Sequence, residues 1–447
     1  MLSNKTQEVL NTKNKTLLPI LIIAGLFFIF GFVTWINGAL IPFMKTINEL
    51  TDAQSYLVAS ASYISFVVMA LPASYIINKM GYKKGMSLGL IIMAIGALLF
   101  IPAANARTYW MFLTAIFIQG IGMTLLQTAS NPYITILGPI ESAAKRIAIM
   151  GIANKVAGAL GSFIFATILL SGIGDIKEKL SSVSIAEKGA LLDTMADSVI
   201  TPYIVMALVL FALGILIRKA PLPNVEAAPI TASKVGVTTK TSIFQFPHLW
   251  LGVLALFVYV GAEVIAGDTI IAYGHSLGLG EKSNSFTTYT LMAMVATYLL
   301  GVFLIPKYIS QTFALKGSAI LGIIFSFCTM YTTGFTSVLF VAALGIANAL
   351  VWPAIWPLTL KGIGKFTKTA SALLIMAISG GAVLPPLYGF LVDYKKEELL
   401  VSGVTEINAL TEAASYGYWI LLPCYGIILY YAFWGHKVGL DKAYHHD

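Results

Sequence analysis

Three charges stand inside otherwise apolar stretches of the chain: Lys155, Glu263 and Asp268. A charge at the centre of a hydrocarbon layer costs about 2.5–3.5 kcal/mol on insertion scales, so each needs a reason to be there. Lys155 sits within Gly151–Gly158, nine residues past Arg146, a long reach for its ammonium to find water. Glu263 and Asp268 are five residues apart. On a helix that is about 140° of rotation, so the two carboxylates do not share a face. One can line a cavity while the other pairs with a neighbouring helix, and Asp268 could instead lie near the outer interface, where charge costs less. Groups of these types can bind a substrate or a coupling ion, or they can be ion pairs that hold helices together. Both readings are open for all three.

Neutral polar residues form stripes. Met123, Gln127 and Asn131 recur at i, i+4 and i+8, roughly along one helical face. Gly120-Ile-Gly-Met leads to Asn131-Pro132, and Gly345-Ile-Ala-Asn leads at the same spacing to Trp356-Pro357. That internal repeat makes Asn348, Trp352 and Trp356 the counterparts of Met123, Gln127 and Asn131 or their near neighbours. Amides on one side and indoles on the other suit a sugar, which offers hydroxyls to amides and an apolar C–H face to rings. The mixture also fits the usual mostly apolar pocket with a few placed polar groups. The competing reading is that the amides only glue helices, at about 0.6 kcal/mol each, and that the indoles pack on lipid or core. Asn131-Pro132 could simply cap a helix break. Upstream, Trp35-Ile-Asn37-Gly38 is followed by Pro42. Gly38 allows close approach or unwinding there, which would turn Asn37 towards a cavity.

These residues must be positioned by membrane helices. Of the 447 residues, 58% are hydrophobic and 11% charged, against roughly 25% charged in soluble domains. So few charges cannot cover an aqueous surface, which also excludes disorder, nucleic-acid binding and a disulfide scaffold. Cys328 and Cys424 both sit in apolar runs. Twelve runs are long enough to cross a bilayer, which takes about 20 mostly apolar residues. They lie near 17–44, 54–77, 84–102, 109–136, 147–170, 199–217, 249–273, 286–305, 315–333, 338–360, 369–392 and 413–434. The expected fold class is an all-α integral membrane protein. Placing the N-terminus in the cytoplasm puts 19 of the 28 Lys and Arg inside and 8 outside, as the positive-inside rule requires. Both termini are then cytoplasmic, and the net charge of +8 faces anionic lipid. No secretory cleavage site follows the polar start.

The longest connection, about 218–246, reads as a linker between a six-helix half at 1–217 and another at 247–447. Paired halves of this kind resemble the major facilitator fold, in which the substrate site lies between the halves near the midplane. The basic turn Asn78–Lys84 resembles that superfamily's signature between spans 2 and 3, with Asn78 where Asp is usual. There is no P-loop, no His-Glu-x-x-His and no Cys/His ligand spacing. No nucleophile–base constellation suggests an enzyme, and no cofactor or metal site is expected. A sugar sensor would need a signalling domain, for which the linker and termini leave no room.

Leu126-Gln-Thr-Ala-Ser-Asn-Pro-Tyr-Ile-Thr-Ile-Leu-Gly138 resembles the span 4 signature of the fucose–galactose–glucose symporters. The stretch Pro139–Lys155 and Tyr259-Val-Gly-Ala-Glu263 look most like the bacterial glucose/galactose branch of that family. The resemblance implies a hexose importer in the bacterial cytoplasmic membrane, working with lipid and sugar alone and no obligate protein partner. It implies sugar contact at Asn154, which matches a span 5 Asn of the fucose branch. That branch relays protons through an Asp in span 1 and a Glu in span 4. The matching positions here are Gly38 and Gln127, which cannot titrate. Sodium-dependent carriers in the glucose/galactose branch imply sodium near Asp268 or Glu263 as the coupling ion, with a proton as the alternative. Lys155 could itself imitate a bound cation. The expected substrate set is Asn37, Gln127, Asn131, Asn154, Trp352 and Trp356, and the ion-coupling set is Glu263, Asp268 and Lys155. An uncoupled facilitator, or an exporter or exchanger of another solute, is the alternative on the same scaffold.

Overall fold

The structure is a computed structural model that describes residues 2–136, 143–170, 184–222, 241–305 and 308–440. It contains helices and no strand among those residues. Among the described residues, twelve helical segments are long and apolar enough to cross a membrane. With no water in the bilayer core, each backbone N–H and C=O must be satisfied within its own segment, which a helix does.

The spans used below are span 1 (Leu18–Ile47), span 2 (Leu57–Met80), span 3 (Tyr82–Asn105), span 4 (Tyr109–Asn131), span 5 (Ile149–Leu170), span 6 (Glu187–Lys219), span 7 (Pro247–Asp268), span 8 (Gly280–Leu304), span 10 (Gly334–Leu360), span 11 (Thr369–Val401) and span 12 (Glu406–Phe433). Their bounds follow the apolar runs closely. Spans 6 and 12 begin earlier than hydropathy alone suggests, with amphipathic turns over Glu187 and Glu406, and span 11 runs on to Val401. Most of the expected linker lies outside the described residues. Its end is a short 3-10 turn, Ile243–Gln245, capped by Ser242 and leading into Pro247 at the start of span 7. A proline costs little there, because the first N–H groups of a helix have no intrahelical partner.

Within the first half, span 1 packs along span 5, and span 4 packs against spans 2 and 3. Span 5 meets span 8, and span 2 meets span 11, so these two pairs join the halves. Twelve crossings place both ends and the linker on one face, called here the linker face.

The opposite, far face carries a seam. Asp393 of span 11 accepts hydrogen bonds from the backbone N–H of Asp52 (3.0 Å) and Ala53 (2.8 Å) in the first half. Those two N–H groups open the short helix Asp52–Ser55, whose other cap is the Thr51–Gln54 capping box. Beneath it, Tyr56 and Tyr388 meet edge to face at 5.4 Å, and the Ser60 hydroxyl donates to the Ala382 carbonyl at 2.5 Å.

Several of the spans are interrupted. Span 1 is interrupted at Ile36, between Leu2–Trp35 and Asn37–Ile47. This is two residues before the expected Gly38. Span 7 is interrupted at Thr269, and span 10 at Leu350. Span 4 is not broken: its helix runs from Tyr109 to Ile136 straight through Asn131 and Pro132. Asn131 therefore does not cap a break. Prolines persist within membrane helices because neighbouring groups satisfy the backbone they free.

Candidate functional site

The breaks of spans 1 and 7 lie against each other. Gly38 faces the Thr287 hydroxyl of span 8 and the Gly267 carbonyl of span 7, and the Trp35 ring covers Gly267. A side chain at either glycine would collide with these neighbours. The Thr287 hydroxyl donates to Gly267 O at 2.7 Å, and the Thr290 hydroxyl donates to Ala266 O at 3.3 Å. Two span 8 threonines thus hold the last carbonyls before the span 7 break.

Trp35 is the centre of the arrangement and is 3% exposed. Its indole N–H donates to Asn154 Oδ1 at 3.4 Å. Its ring carries the Lys155 ammonium 4.2 Å from a ring centroid, an arrangement worth about 2 kcal/mol when desolvated. Its other edges rest on Gly158 and Gly267. The same ammonium donates to Glu263 Oε1 at 2.7 Å. Lys155 belongs to span 5 and Glu263 to span 7, so this ion pair joins the two halves. Their side chains keep 9% and 12% of their exposure although both lie mid-span. The pair is therefore largely but not completely buried.

Asp268 is the last residue of span 7, towards its far-face end. It is 1% exposed, and its Oδ1 has no hydrogen-bond partner among the described residues. The helix ends at Asp268, and after Thr269, whose hydroxyl bonds Tyr418 at 2.8 Å, the chain runs on into the short helix Ile270–Ser276. Asp268 remains within electrostatic range of Lys155 and Glu263. The rotation argument kept the two carboxylates on separate faces, and they do take separate partners. Yet they act on one ammonium.

Two amides of the expected substrate set, Asn37 and Asn154, are buried and incompletely bonded. Asn37 and Asn154 are 3% and 7% exposed, and each Nδ2 lacks a partner among the described residues. A buried donor left unpaired costs about 1–3 kcal/mol, so these groups await an acceptor. Gln127 is 8% exposed. One helical turn before it, Met123 accepts a 3.6 Å contact from the Thr34 hydroxyl of span 1. Asn131, a turn further towards the linker face, is half-buried. In span 10, Trp352 and Trp356 are half-buried and stack on each other at 5.4 Å and 28°. Asn348, one turn before Trp352 and the repeat counterpart of Met123, accepts from the Tyr425 hydroxyl at 2.9 Å and is fully buried, a packing residue. No hydrogen bond among the described residues joins the Trp pair to the amides.

Trp35 was not singled out by the sequence. An indole in an apolar span looks like any core aromatic, and only its place two residues before Asn37 hinted at more. Tyr259 is a second addition. It lies one turn before Glu263, is 1% exposed, and interacts with that carboxylate. His248 is buried, with Nε2 3.0 Å from the Lys361 carbonyl. No group of three or more His, Cys, Asp or Glu that could hold a metal occurs among the described residues.

The chain can now be set beside known proteins. It is 34% identical over 372 residues to a glucose/galactose transporter of Brucella abortus, covering 82% of this chain and 86% of that protein. It is 31% identical over 420 residues to a putative glucose/galactose transporter of Helicobacter pylori, covering 93% and 96%. It is 27% identical over 384 residues to the L-fucose-proton symporter of Escherichia coli, covering 84% and 87%. Among solved structures, the E. coli fucose:proton symporter in its outward conformation matches with a TM-score of 0.68 at 24% identity, over 94% of this chain and 99% of that one. At that identity the match speaks for the fold alone. The sequence profile of the Major Facilitator Superfamily spans residues 23–386. With twelve spans, two packed halves and a polar cluster between them, the chain belongs to the Major Facilitator Superfamily, and it is a multi-pass membrane transporter rather than an enzyme.

Proposed function

We propose that this protein imports a hexose, glucose or galactose, by alternating access coupled to a monovalent cation, sodium in preference to the proton. The observation that carries the reading is the pair of buried, unpartnered amides of Asn37 and Asn154 beside an ion pair that bridges the halves. Amide N–H groups are donors for sugar hydroxyl oxygens, and the half-buried Trp352 and Trp356 offer the flat faces that stack on a pyranose. Asn131 and Gln127 extend the polar lining along span 4. The printed names of the relatives support glucose and galactose as the substrate class.

The positive-inside count supports cytoplasmic termini, which makes the linker face the cytoplasmic face of a bacterial inner membrane. Sodium is preferred because Gly38 and Gln127 stand where the fucose branch carries titratable residues. The second reading, proton coupling, is favoured by relatives named L-fucose-proton symporter.

The direct test is sugar binding to the protein purified in detergent. Glucose and galactose should bind saturably and compete with each other, and Asn154→Ala should weaken both at least tenfold. Binding of organic cations with no binding of any hexose would replace this reading by that of an exporter.

A further inference from the structure

The geometry points to Asp268 as the residue that holds the coupling cation, one monovalent ion per sugar, while the Lys155–Glu263 pair holds none. This rests on the reading of the protein as a cation-coupled sugar carrier.

The cluster at the interface of the halves contains one ammonium and two carboxylates, Lys155, Glu263 and Asp268. With all three ionised it carries one negative charge in excess. Lys155 is committed: it donates to Glu263 at 2.7 Å and rests on the Trp35 ring at 4.2 Å. Asp268 has neither a bonded partner for Oδ1 nor access to water, being 1% exposed. An ionised carboxylate so placed is costly by several kcal/mol unless a cation pairs with it. A single positive charge restores neutrality, either as a proton on the carboxylate or as a sodium ion against it. A divalent ion would overshoot by one charge, and the described residues hold no acidic or histidine group that could bind one.

The surroundings suit a hard monovalent ion. Two backbone carbonyls next to Asp268 in the chain lie at the span 7 break. Gly267 O and Ala266 O each accept one threonine hydroxyl and each keep a second lone pair. Interrupted membrane helices are the usual source of such oxygen ligands. The other titratable groups acting on Asp268 are Lys155, Glu263 and the phenols of Tyr56 and Tyr63 in span 2. The phenols are neutral at physiological pH, so they do not alter the count.

The position also explains coupling. Gly267, next to Asp268, lies under the Trp35 ring, and Trp35 donates to Asn154. The arrangement that aims Asn154 at sugar is therefore the one that buries Asp268, and that burial requires the cation. Neither ligand alone satisfies both residues.

The test measures glucose affinity of the detergent-purified protein with sodium exchanged for potassium, and separately across pH. The native protein should bind glucose at least tenfold more tightly with its cation, with a Hill slope of one for that cation. Sodium dependence at constant pH identifies sodium, and pH dependence in potassium alone identifies the proton. In Asp268→Asn, glucose binding should respond to neither, and Asp268→Glu should regain the response. Glu263→Gln should keep the cation dependence even where affinity falls. If Asp268→Asn is not monodisperse, the Hill slope and the Glu263→Gln result decide. Full cation dependence in Asp268→Asn, its loss in Glu263→Gln, or a slope near two would overturn the assignment while leaving the sugar carrier intact. Tight glucose binding indifferent to every cation would overturn the coupling reading itself, and no hexose binding by the native protein would overturn the carrier reading on which both depend.

Discussion

The Lys155 ammonium lies 2.7 Å from the Glu263 carboxylate, and the two residues come from opposite halves of the molecule. Within the membrane this is a bond that a rocking motion of the halves must strain or break. On the far side of it the halves are also tied through Thr288, whose hydroxyl donates to the Ala159 carbonyl at 3.1 Å, and through Asp393. The ion pair therefore shares the tie between the halves with these far-face contacts.

Removing one member of a buried pair leaves the other uncompensated, at about 3–5 kcal/mol. Lys155→Met should lower accumulation of sugar in liposomes at least tenfold while counterflow exchange falls much less. It should also lower the melting temperature, and adding Glu263→Gln should recover part of that loss. Unchanged accumulation would return Lys155 to a purely structural role.

Trp35 positions Asn154 and the ammonium without itself needing to touch sugar. Trp35→Phe keeps a ring for the cation and loses the N–H donor to Asn154 Oδ1. One net hydrogen bond is worth about 1 kcal/mol, so sugar affinity should fall about fivefold by isothermal titration, with little change in melting temperature. Asn154→Ala in the Trp35→Phe background should add less than it costs alone, because the two act through one contact.

Trp352 and Trp356 are stacked on each other and half-buried. Trp352→Ala should weaken glucose binding about tenfold while the protein stays monodisperse. An unchanged affinity would remove Trp352 from the site.

Asp393 closes the far face by accepting two backbone N–H groups of the other half. Hydrogen bonds to a charged acceptor contribute about 1.5–3 kcal/mol. Asp393→Asn should shift the population towards the state open on that face, since 1.4 kcal/mol is tenfold in an equilibrium. Maleimide labelling of Ala53→Cys, in a background with Cys328 and Cys424 replaced by Ser, should accelerate roughly tenfold. Equal labelling rates with and without Asp393→Asn would show that this contact does not gate the far face.

The twelve spans were legible because a bilayer demands a long apolar run for each, and no soluble core writes that pattern twelve times. The two halves were legible from the repeat of Gly120–Pro132 in Gly345–Pro357. The breaks were less so. Gly38 marks where span 1 can bend, but the interruption falls at Ile36, and Pro132 leaves its helix continuous. A glycine or proline permits a break, whereas the packing partners decide where it occurs. For span 1 those partners are Gly267 and Thr287, far away in sequence. The pairing of Lys155 with Glu263 spans 108 positions, and helical periodicity carries no information across that distance. The same limit hid Trp35, whose role rests on four contacts to spans 5 and 7.

The most direct test is uptake of radiolabelled glucose by liposomes containing the protein, under an inward sodium gradient, an inward proton gradient, or neither. The expected result is accumulation above the external concentration with sodium, no accumulation without a gradient, and competition by galactose. Equilibration of glucose with no accumulation under either gradient would contradict cation-coupled import.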